Sequence, residues 1–481
     1  MTAFAAEETV RPACLVGGRE ETGDTRFPVA YPYTGEIVGE APLLGRDTVR
    51  AALDLAGAAR VRLDRHERAA VLERVAARIA AEADPLAHLI TRESGLCLAD
   101  TRHETGRAAD VFRFAAHAAL RDDGEAFACD VSAHGRARRA YTMREPVRLV
   151  AAITPFNHPL NQVAHKLAPA LAAGAPIVLK PSEKTPLAAL WLARAILDAG
   201  YPEDALAVVT GEREEILDEM LAHDAVEVVS FTGGVAVGKE IAARLGYRRA
   251  VLELGGNDPL LVLRDAEIER AATLTVAGAT RNSGQRCTAV KRVIVEEPVA
   301  DALADAVATL AAQLRVGDPL DDRTDVGTLI DEPAAELVER RAAAASTDSA
   351  VLLFGGERRG AQLVPPVLDR VDARHELVRE ETFGPAIPLL RVRDLDEAID
   401  VANGTAYGLS AGVVSNDLAA VTRCIRELRC GTVNVDEVPG FRTEATPFGG
   451  VKASGLGIKE GVVEAMRGLT NTKLFSLPWP G

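Results

Sequence analysis

The sequence lacks the positive charge and the long apolar runs that several classes of protein require. Its net charge is −15 at pH 7, so it has no electrostatic footprint for DNA or RNA and repels anionic membrane surfaces. No apolar run is long enough to cross a bilayer, and residues 1–10 do not have the pattern of a secretory signal. We therefore expect no nucleic-acid or membrane partner, and an anionic small substrate would need a local basic pocket.

Paired cysteines are also missing. The six cysteines include no Cys-x-x-Cys pair, and their spacing suits neither a zinc site nor a disulfide framework. We therefore expect no metal site, reduced thiols and a cytoplasmic location. The composition, 48% hydrophobic and 26% charged, is typical of a globular protein, and 481 residues predict about three domains.

Strand-like and helix-like segments alternate through most of the chain. Residues 47–61 and 66–82 have the spacing of amphipathic helices. From Val147, short apolar runs are each followed by a helical segment for about 100 residues, which predicts a parallel sheet of βαβ units. A second α/β region is predicted from about Leu254 to about Glu460. The sequence therefore indicates an α/β fold with two such regions.

Two segments outside these regions are strand-like and are expected to be exposed. They are residues 136–149, which are basic and alternating, and the C-terminal run TKLFSLPW. Exposed strands of this kind often pair with another subunit.

Polar and glycine residues follow several of the predicted strands. Gly233 and Gly234 form a turn between a strand and a helix, where backbone N–H groups can bind a pyrophosphate. The G-x-G-x-x-G spacing is absent, so a tight connection is an equal alternative. Lys180 and Glu183 follow another strand, where a cofactor crevice forms in such sheets; each is otherwise a solvated loop charge.

Three further residues suit nucleophilic catalysis. Cys287 lies in a polar loop before a strand, as an accessible nucleophile requires, although a buried inert cysteine is the alternative. Asn157 is a neutral donor suited to an oxyanion, or else forms a turn before a proline. Glu253 follows apolar residues, where a carboxylate has a raised pKa and can act as a base; pairing with an arginine is the alternative.

The order of these segments resembles that of the aldehyde dehydrogenase superfamily over residues 28–479. The motifs are PFNHPLN, KPSEKTP, FTGGVAVG, LELGGND, GQRC, EETFGP and PFGGVKASGLG. The resemblance implies an aldehyde dehydrogenase-like fold with a Rossmann-type NAD-binding domain, an α/β catalytic domain and a β oligomerisation arm. The NAD-binding domain is expected to span residues 1–123 and 149–253, and the catalytic domain residues 254–460. The arm is expected to combine residues 124–148 and 461–481. A homodimer or homotetramer is implied.

The resemblance also implies a role for each site residue. Cys287 attacks the aldehyde, Asn157 and the Cys287 backbone N–H hold the oxyanion, and Glu253 activates the water that hydrolyses the thioester. The implied dinucleotide contacts are Thr154, Pro155, Phe156, Lys180, Glu183, Phe231, Thr232, Gly233, Gly234, Leu254, Glu381 and Phe383. Gly234 departs from the family, which commonly has serine there. Glu183 would repel a 2′-phosphate, so NAD is favoured over NADP.

The residues beside the nucleophile indicate the substrate. Arg286 directly precedes Cys287, and a guanidinium there suits phosphonate, phosphate or carboxylate. We expect Arg107 to line the same substrate tunnel as Arg286; the alternative is a charge on the surface of a helix. We expect His158 to add a hydrogen-bond donor when it is protonated; the alternative is a histidine packed in a loop. The segments around these residues resemble the phosphonoacetaldehyde dehydrogenases, which implies substrate contacts from Arg107, His158, Arg286, Thr288 and Arg442.

The expected reaction is therefore NAD-dependent oxidation of phosphonoacetaldehyde, or of a close homologue such as phosphonoformaldehyde. Alternatives are a non-phosphorylating glyceraldehyde-3-phosphate or semialdehyde dehydrogenase, a coenzyme A-acylating dehydrogenase, and a homologue without activity. Members that use coenzyme A generally lack the residue matching Glu253, so its presence favours hydrolysis.

Overall fold

The computed structural model of the chain describes residues 9–121 and 123–479. Residues 1–8, 122 and 480–481, which fall within the predicted domain ranges, lie outside the described residues. In chain order the strands are β1 (Cys14–Val16), β2 (Arg19–Glu21), β3 (Thr25–Ala30), β4 (Ile37–Leu43), β5 (Ala126–Ala128), β6 (Arg138–Pro146), β7 (Val150–Ile153), β8 (Ile177–Lys180), β9 (Leu206–Val208), β10 (Val228–Thr232), β11 (Arg249–Glu253), β12 (Asp258–Val262), β13 (Val290–Glu296), β14 (Val351–Phe354), β15 (Arg358–Arg359), β16 (Gln362–Leu363), β17 (Val367–Asp369), β18 (Ile387–Val392), β19 (Ser410–Val414), β20 (Thr432–Val435) and β21 (Thr470–Pro478).

The helices lie between these strands and cover the faces of the sheets. They are α1 (Arg46–Ala58), α2 (Arg65–Ala81), α3 (Ala83–Ser94), α4 (Leu98–Ala119), α5 (Asn161–Ala173), α6 (Leu187–Asp198), α7 (Arg213–Ala222), α8 (Val235–Arg244), α9 (Ile268–Thr280), α10 (Glu297–Ala311), α11 (Glu332–Asp348), α12 (Glu376–Arg379), α13 (Leu395–Asn403), α14 (Leu418–Glu427) and α15 (Val462–Gly468). None of these helices is long and apolar enough to cross a membrane.

The first sheet has the strand order β11-β10-β7-β8-β9-β1-β2, and its strands from β7 to β11 are parallel. Their apolar residues are buried because helices pack on both faces, as in other parallel sheets. The chain runs outward from β7 through β8 and β9 in one direction, and β10 and β11 lie on the other side. The crevice between β7 and β10 is therefore a topological switch point, where such sheets bind ligands at the carboxyl ends of their strands.

The second sheet follows directly from the first. Its order is β14-β17-β18-β13-β12-β19-β20, and the strands from β17 to β20 are parallel. Residues 254–257 join β11 to β12. This short link places the carboxyl end of the first sheet beside the amino end of the second, where the loop before β13 begins. Both predicted α/β regions are thus present.

The two strand-like segments predicted outside these regions pair with each other. Strand β21 runs antiparallel to β6, with Thr470 opposite Pro146 and Pro478 opposite Arg138, and β5 adds a third strand. Most of β21 is exposed. The helix before it, α15, instead packs into the core of the first sheet through Val462 and Met466.

One buried cation connects the second sheet to the link between the sheets and to the end of α13. Arg292 on β13 is 2% exposed, and its guanidinium donates to the backbone oxygens of Asn257, Val401 and Ala402 at 2.9, 2.9 and 3.0 Å. Burial lowers the pKa of Arg292 to about 10, which still leaves it charged at neutral pH.

We expect Arg292→Leu to lower the free energy of unfolding by about 3 kcal/mol, because three buried carbonyls lose their donors. Denaturant unfolding followed by fluorescence measures the change. Arg426→Leu, at an exposed position on α14, is the matched control and should change stability by less than about 0.5 kcal/mol. Equal unfolding midpoints for the two variants would contradict this assignment.

Candidate active site

A cavity of about 200 Å³ lies at the carboxyl ends of β7, β10 and β11. All three predicted catalytic residues line it, and so do most of the predicted dinucleotide contacts. Its lining residues are Pro155, Phe156, Asn157, Gln162, Thr232, Gly233, Gly234, Glu253, Leu254, Gly255, Cys287, Glu381 and Phe383. The switch point of the first sheet and the loop that carries the cysteine therefore meet in one place.

Hydrogen bonds between two loops hold the cysteine in this cavity. The Asn157 side chain donates from Nδ2 to the backbone oxygen of Gln285 at 2.8 Å, and Asn282 Nδ2 donates to the backbone oxygen of Asn157 at 3.1 Å. Asn282 has a left-handed backbone with φ of 54°, a conformation that asparagine tolerates better than most residues. Its backbone N–H donates to Asp100 Oδ2 at 2.8 Å. The loop before β13 is thereby fixed to the loop after β7 and to α4.

The link between the sheets also touches the nucleophile loop. A Cβ atom at Gly256 would lie 2.1 Å from the backbone oxygen of Cys287, so only glycine permits this approach. The Gly256 N–H donates to Glu381 Oε1 at 3.0 Å. The position of the Cys287 peptide therefore depends on the absence of a side chain at Gly256.

Cys287 is surrounded by groups of both charges. Burial raises the pKa of its thiol to about 12, and the Asp258 and Glu381 carboxylates add to this effect, whereas Lys291 opposes it. Among the described residues, no acceptor takes the Cys287 backbone N–H. That N–H and the second hydrogen of the Asn157 amide are the two donors that can stabilise an oxyanion beside the sulfur.

Glu253 ends β11 and is only 3% exposed. Neither carboxylate oxygen accepts a hydrogen bond from any residue that the structure describes. Burial raises its pKa well above the usual value and the negative charge of Glu460 adds to the shift, whereas Lys166 and Arg442 oppose it. A carboxylate in this setting has the proton affinity of a general base, and the predicted pairing with an arginine is not what the structure shows.

The cavity fits a dinucleotide on several structural grounds. Gly233 and Gly234 precede α8, whose N-terminus has no side-chain cap, so its backbone N–H groups are available to a phosphate. Thr154 Oγ1 is buried and has no partner among the described residues. The rings of Phe156 and Phe383 meet edge to face at 5.9 Å between centroids.

The remaining predicted nucleotide contacts lie next to this cavity rather than in it. Phe231 lies beneath the glycine turn, where its ring would be 2.6 Å from a Cβ at Gly233. Lys180 is 3% exposed and donates to Glu183 Oε2 at 3.2 Å. Glu183 lines a separate, more open cavity of about 690 Å³.

Of the predicted substrate residues, Arg286 is the one whose positive charge has the least compensation from neighbouring groups. Its guanidinium makes no hydrogen bond or ion pair with the part of the chain that the structure describes. Burial lowers the pKa of Arg286 to about 10, and the charge of Arg107 lowers it further, whereas the Cys287 and Asp100 charges oppose this. A half-buried cation without a partner carries a desolvation cost that an anion would offset.

Arg107 approaches Arg286 from α4 but has a partner of its own. Its Nε contacts Glu444 Oε1, and Glu444 Oε2 lies 2.5 Å from His165 Nε2. Although burial opposes it, His165 and then Arg107 hold the pKa of Glu444 well below its usual range. The alternative of a plain surface charge at Arg107 is therefore wrong, because its side chain is 19% exposed and paired.

His158 lies in the same cluster but differs from expectation in its charge. Its Nδ1 is 3.2 Å from Asn282 Nδ2 and 3.7 Å from Glu104 Oε2. Burial lowers the pKa of His158 and the Arg107 and Arg286 charges reinforce this, although Glu104 opposes it. These effects favour a neutral ring in the free protein, which differs from the expected protonated donor.

Two further titratable residues of this cluster were missed in the sequence. His103 precedes Arg107 by one helical turn on α4, so both occupy one face of the helix. Arg281 directly precedes Asn282. Burial lowers the pKa of His103 to about 4, and the charges of Arg107, Arg281 and Arg286 contribute. The helical spacing of His103 was a usable signal, whereas the place of Arg281 depends on the fold of its loop.

Thr288 and Arg442 take different positions around the site. Thr288 Oγ1 and Arg286 Nη2 would lie 2.5 and 2.6 Å from a Cβ at Gly440, so the two side chains converge there. Arg442 stacks on the Phe448 ring, with Cζ 4.0 Å from its centroid. Its charge acts on the pKa of Glu253, which places Arg442 on the side of the base.

Comparison with known proteins agrees with this arrangement. The model of the aldehyde dehydrogenase family matches residues 19–475. The chain is 38% identical to a sulfoacetaldehyde dehydrogenase of Neptuniibacter caesariensis over 85% of this chain and 89% of the relative. It is 36% identical to a 3-sulfolactaldehyde dehydrogenase of Priestia aryabhattai over 96% and 97%.

A solved structure has the same architecture throughout. It is the NADP-dependent glyceraldehyde-3-phosphate dehydrogenase of Bacillus halodurans C-125 complexed with NADP, with a TM-score of 0.95 at 34% identity over 98% of this chain and 100% of the other. The predicted fold and the resemblance to the superfamily are thus confirmed. The narrower resemblance to phosphonoacetaldehyde dehydrogenases stays a prediction.

We expect Cys287→Ser to abolish aldehyde oxidation, because the serine hydroxyl stays protonated at neutral pH and is a far poorer nucleophile than a thiolate. Glu253→Gln should form one equivalent of NADH and then stop, since the acyl group stays on the sulfur. Stopped-flow absorbance and intact-protein mass measure both effects. Cys129→Ser, directly after β5, is the control and should retain wild-type turnover. Full steady-state activity in either site variant would contradict these roles.

Proposed function

The chain belongs to the aldehyde dehydrogenase family, and we propose that it oxidises a small aldehyde that carries a phosphonate group. The substrate is phosphonoacetaldehyde, which gives phosphonoacetate, or a close homologue such as phosphonoformaldehyde. The observation that carries this proposal is the unpaired guanidinium of Arg286, one residue before Cys287. A cation in this position meets an anionic group only one or two bonds from the reacting carbon.

Each step of the reaction has a matching group in the cavity. The Cys287 sulfur attacks the aldehyde carbon, and the new oxyanion is held by the Asn157 amide and the Cys287 backbone N–H. A nicotinamide dinucleotide, when bound in this cavity, would supply the acceptor for the hydride that leaves the carbon. Glu253 then takes a proton from the water that attacks the thioester, and the acid is released with the thiol restored. The raised pKa of Glu253 supports this role.

The short distances between several cationic side chains favour a substrate whose headgroup carries two negative charges. Arg107, Arg281 and Arg286 all act on the pKa of His103, so their charges are close enough to repel one another. A phosphonate dianion relieves this repulsion more than a sulfonate or a carboxylate, which each carry one charge. A planar guanidinium also binds two phosphonate oxygens at once. These features support a phosphonate over the sulfonates named for the two relatives.

We propose NAD as the preferred cofactor. Glu183 is half exposed and lines the 690 Å³ cavity together with Glu212, Glu214 and Glu215. Carboxylates at this end of the site would repel the 2′-phosphate of NADP. Arg213 lies among them and partly offsets their charge, so NADP stays a possible second cofactor.

Separate observations bear on each of the alternative reactions. The glyceraldehyde-3-phosphate dehydrogenase structure shares the whole fold, so a phosphate aldehyde is the second candidate. A semialdehyde would offer a carboxylate to the same arginines. Transfer to coenzyme A is disfavoured by Glu253, and formation of an acyl-coenzyme A product would establish it.

We also propose that β5, β6 and β21 form an arm that joins copies of the chain into a homodimer or homotetramer. The arm has exposed apolar side chains on its free surface. They are Phe127, Met143, Leu474, Phe475, Leu477 and Trp479. Such residues on an exposed strand are typical of a subunit interface.

We expect Arg286→Ala to raise KM for phosphonoacetaldehyde by 100-fold or more, since a charge-assisted pair contributes about 3 kcal/mol. KM for propionaldehyde should change less than about threefold. Initial rates of NADH formation with both aldehydes give the comparison.

Arg359→Ala serves as the control, because Arg359 is exposed on β15 and remote from the cavity. It should change neither KM. If Arg286→Ala affects the two aldehydes equally, Arg286 does not bind the anionic group and the proposed substrate class fails.

A further inference from the structure

Lys291 is a buried cation that has no part in the reaction as described so far. It is the second residue of β13 and is 3% exposed. Its Nζ lies 4.0 Å from Glu381 Oε1 and 5.1 Å from the centroid of the Phe383 ring. It also donates to the backbone oxygen of Arg286. A lysine this buried is costly unless its charge is compensated.

The contact with Arg286 places the ammonium beside the nucleophile. The Arg286 carbonyl belongs to the peptide bond that precedes Cys287, so Lys291 lies against the backbone that carries the sulfur. Three other elements present charges to Cys287. Asp258 at the start of β12 and Glu381 after α12 present carboxyl groups, whereas Arg442 from the loop after β20 and the neighbouring Arg286 present guanidinium groups.

This environment as a whole favours the protonated thiol, and the nearby cations reduce that preference. Burial, Asp258 and Glu381 all favour the neutral thiol, whereas Lys291 and Arg442 favour the thiolate. Burial lowers the pKa of Lys291 as well, and the Glu381, Asp258 and Cys287 charges oppose that effect. The lysine and the thiolate therefore stabilise each other's charge.

The hydrogen bond alone does not explain a lysine here. A neutral side chain such as glutamine can donate to a backbone carbonyl without the cost of burying an ammonium. Lys452 shows the structural use of lysine in the same half of the molecule, since its Nζ donates to the backbone oxygens of Asn403 and Thr405 at 2.9 and 3.3 Å. Lys291 differs because its charge acts on the Cys287 sulfur.

We propose that Lys291 is a positioning residue whose ammonium stabilises the Cys287 thiolate before attack on the aldehyde. The inference rests on the proposed role of Cys287 as nucleophile. The thiol proton passes to solvent, and Lys291 keeps its own proton throughout. The lysine acts through the sulfur and the preceding peptide, so it touches neither the substrate nor the hydride.

Alkylation of the free enzyme tests this directly, without cofactor or aldehyde. Iodoacetamide forms a sulfur–carbon bond with the thiolate and releases iodide, so its rate follows the thiolate fraction. The rate at Cys287 is measured against pH by peptide mass spectrometry in the wild type, Lys291→Gln and Lys291→Arg. Lys291→Met provides a second neutral variant if the glutamine variant fails to fold.

We expect the neutral variants to move the alkylation midpoint upward by about one pH unit, which lowers the rate at pH 7 about tenfold. Lys291→Arg should restore most of the rate, because it keeps the charge. Lys452→Gln, which loses a similar pair of bonds to backbone oxygens, should leave the midpoint in place.

An unmoved midpoint in a folded neutral variant overturns the proposal, and so does an equal loss of rate in Lys291→Arg and Lys291→Gln. If iodoacetamide never modifies Cys287 in the wild type, the nucleophile assignment itself fails. An alkylated Cys287 with an unmoved midpoint refutes only the role of Lys291.

Discussion

The hydrogen bonds between Asn157 and the loop before β13 are the contact on which the site depends. The Asn157 side chain donates to the Gln285 backbone, and the Asn282 side chain returns a bond to the Asn157 backbone. One loop belongs to the first sheet and the other to the second. Cys287 and Asn157, the proposed nucleophile and oxyanion donor, are thus held at a fixed spacing by a reciprocal pair of buried bonds, although they are 130 residues apart in the sequence. Such preorganisation places donors where charge develops and avoids reorganisation during the reaction.

Ionisable side chains without a charged partner are the second feature on which the site depends. Glu253 is buried and Arg286 is half-buried, and both are unpaired within the described chain, a costly state that is common in functional sites. The chain as a whole carries a charge of −15, so its long-range field repels anionic substrates. In the proposed function, recognition of an anionic substrate therefore acts at short range, through the cluster around Arg286. The two charges also have separate surroundings, because Glu460, Lys166 and Arg442 act on Glu253 whereas Arg107, Arg281 and Asp100 act on Arg286.

Local patterns were enough to predict much of this structure. The alternation of apolar runs and helical segments predicted both α/β regions, and the segments 136–149 and TKLFSLPW were correctly predicted as strands. The motifs also predicted that Asn157, Glu253 and Cys287 belong to one site, and all three line one cavity. Contacts between distant segments were not predictable in this way. Arg107 meets Glu444 across 337 positions, and the neutral state favoured for His158 follows from burial that only the folded loops create.

The most direct test of the account is the substrate specificity of the wild-type enzyme. NADH formation gives kcat/KM for phosphonoacetaldehyde, phosphonoformaldehyde, sulfoacetaldehyde, glyceraldehyde 3-phosphate, succinate semialdehyde and propionaldehyde. The account predicts that a phosphonate aldehyde exceeds every other substrate by roughly tenfold or more, which corresponds to about 1.4 kcal/mol in the transition state. A higher value for another anionic aldehyde would contradict the proposal of a phosphonate substrate, but it would still agree with recognition of an anion by the arginines. A higher value for propionaldehyde would contradict recognition of an anion altogether.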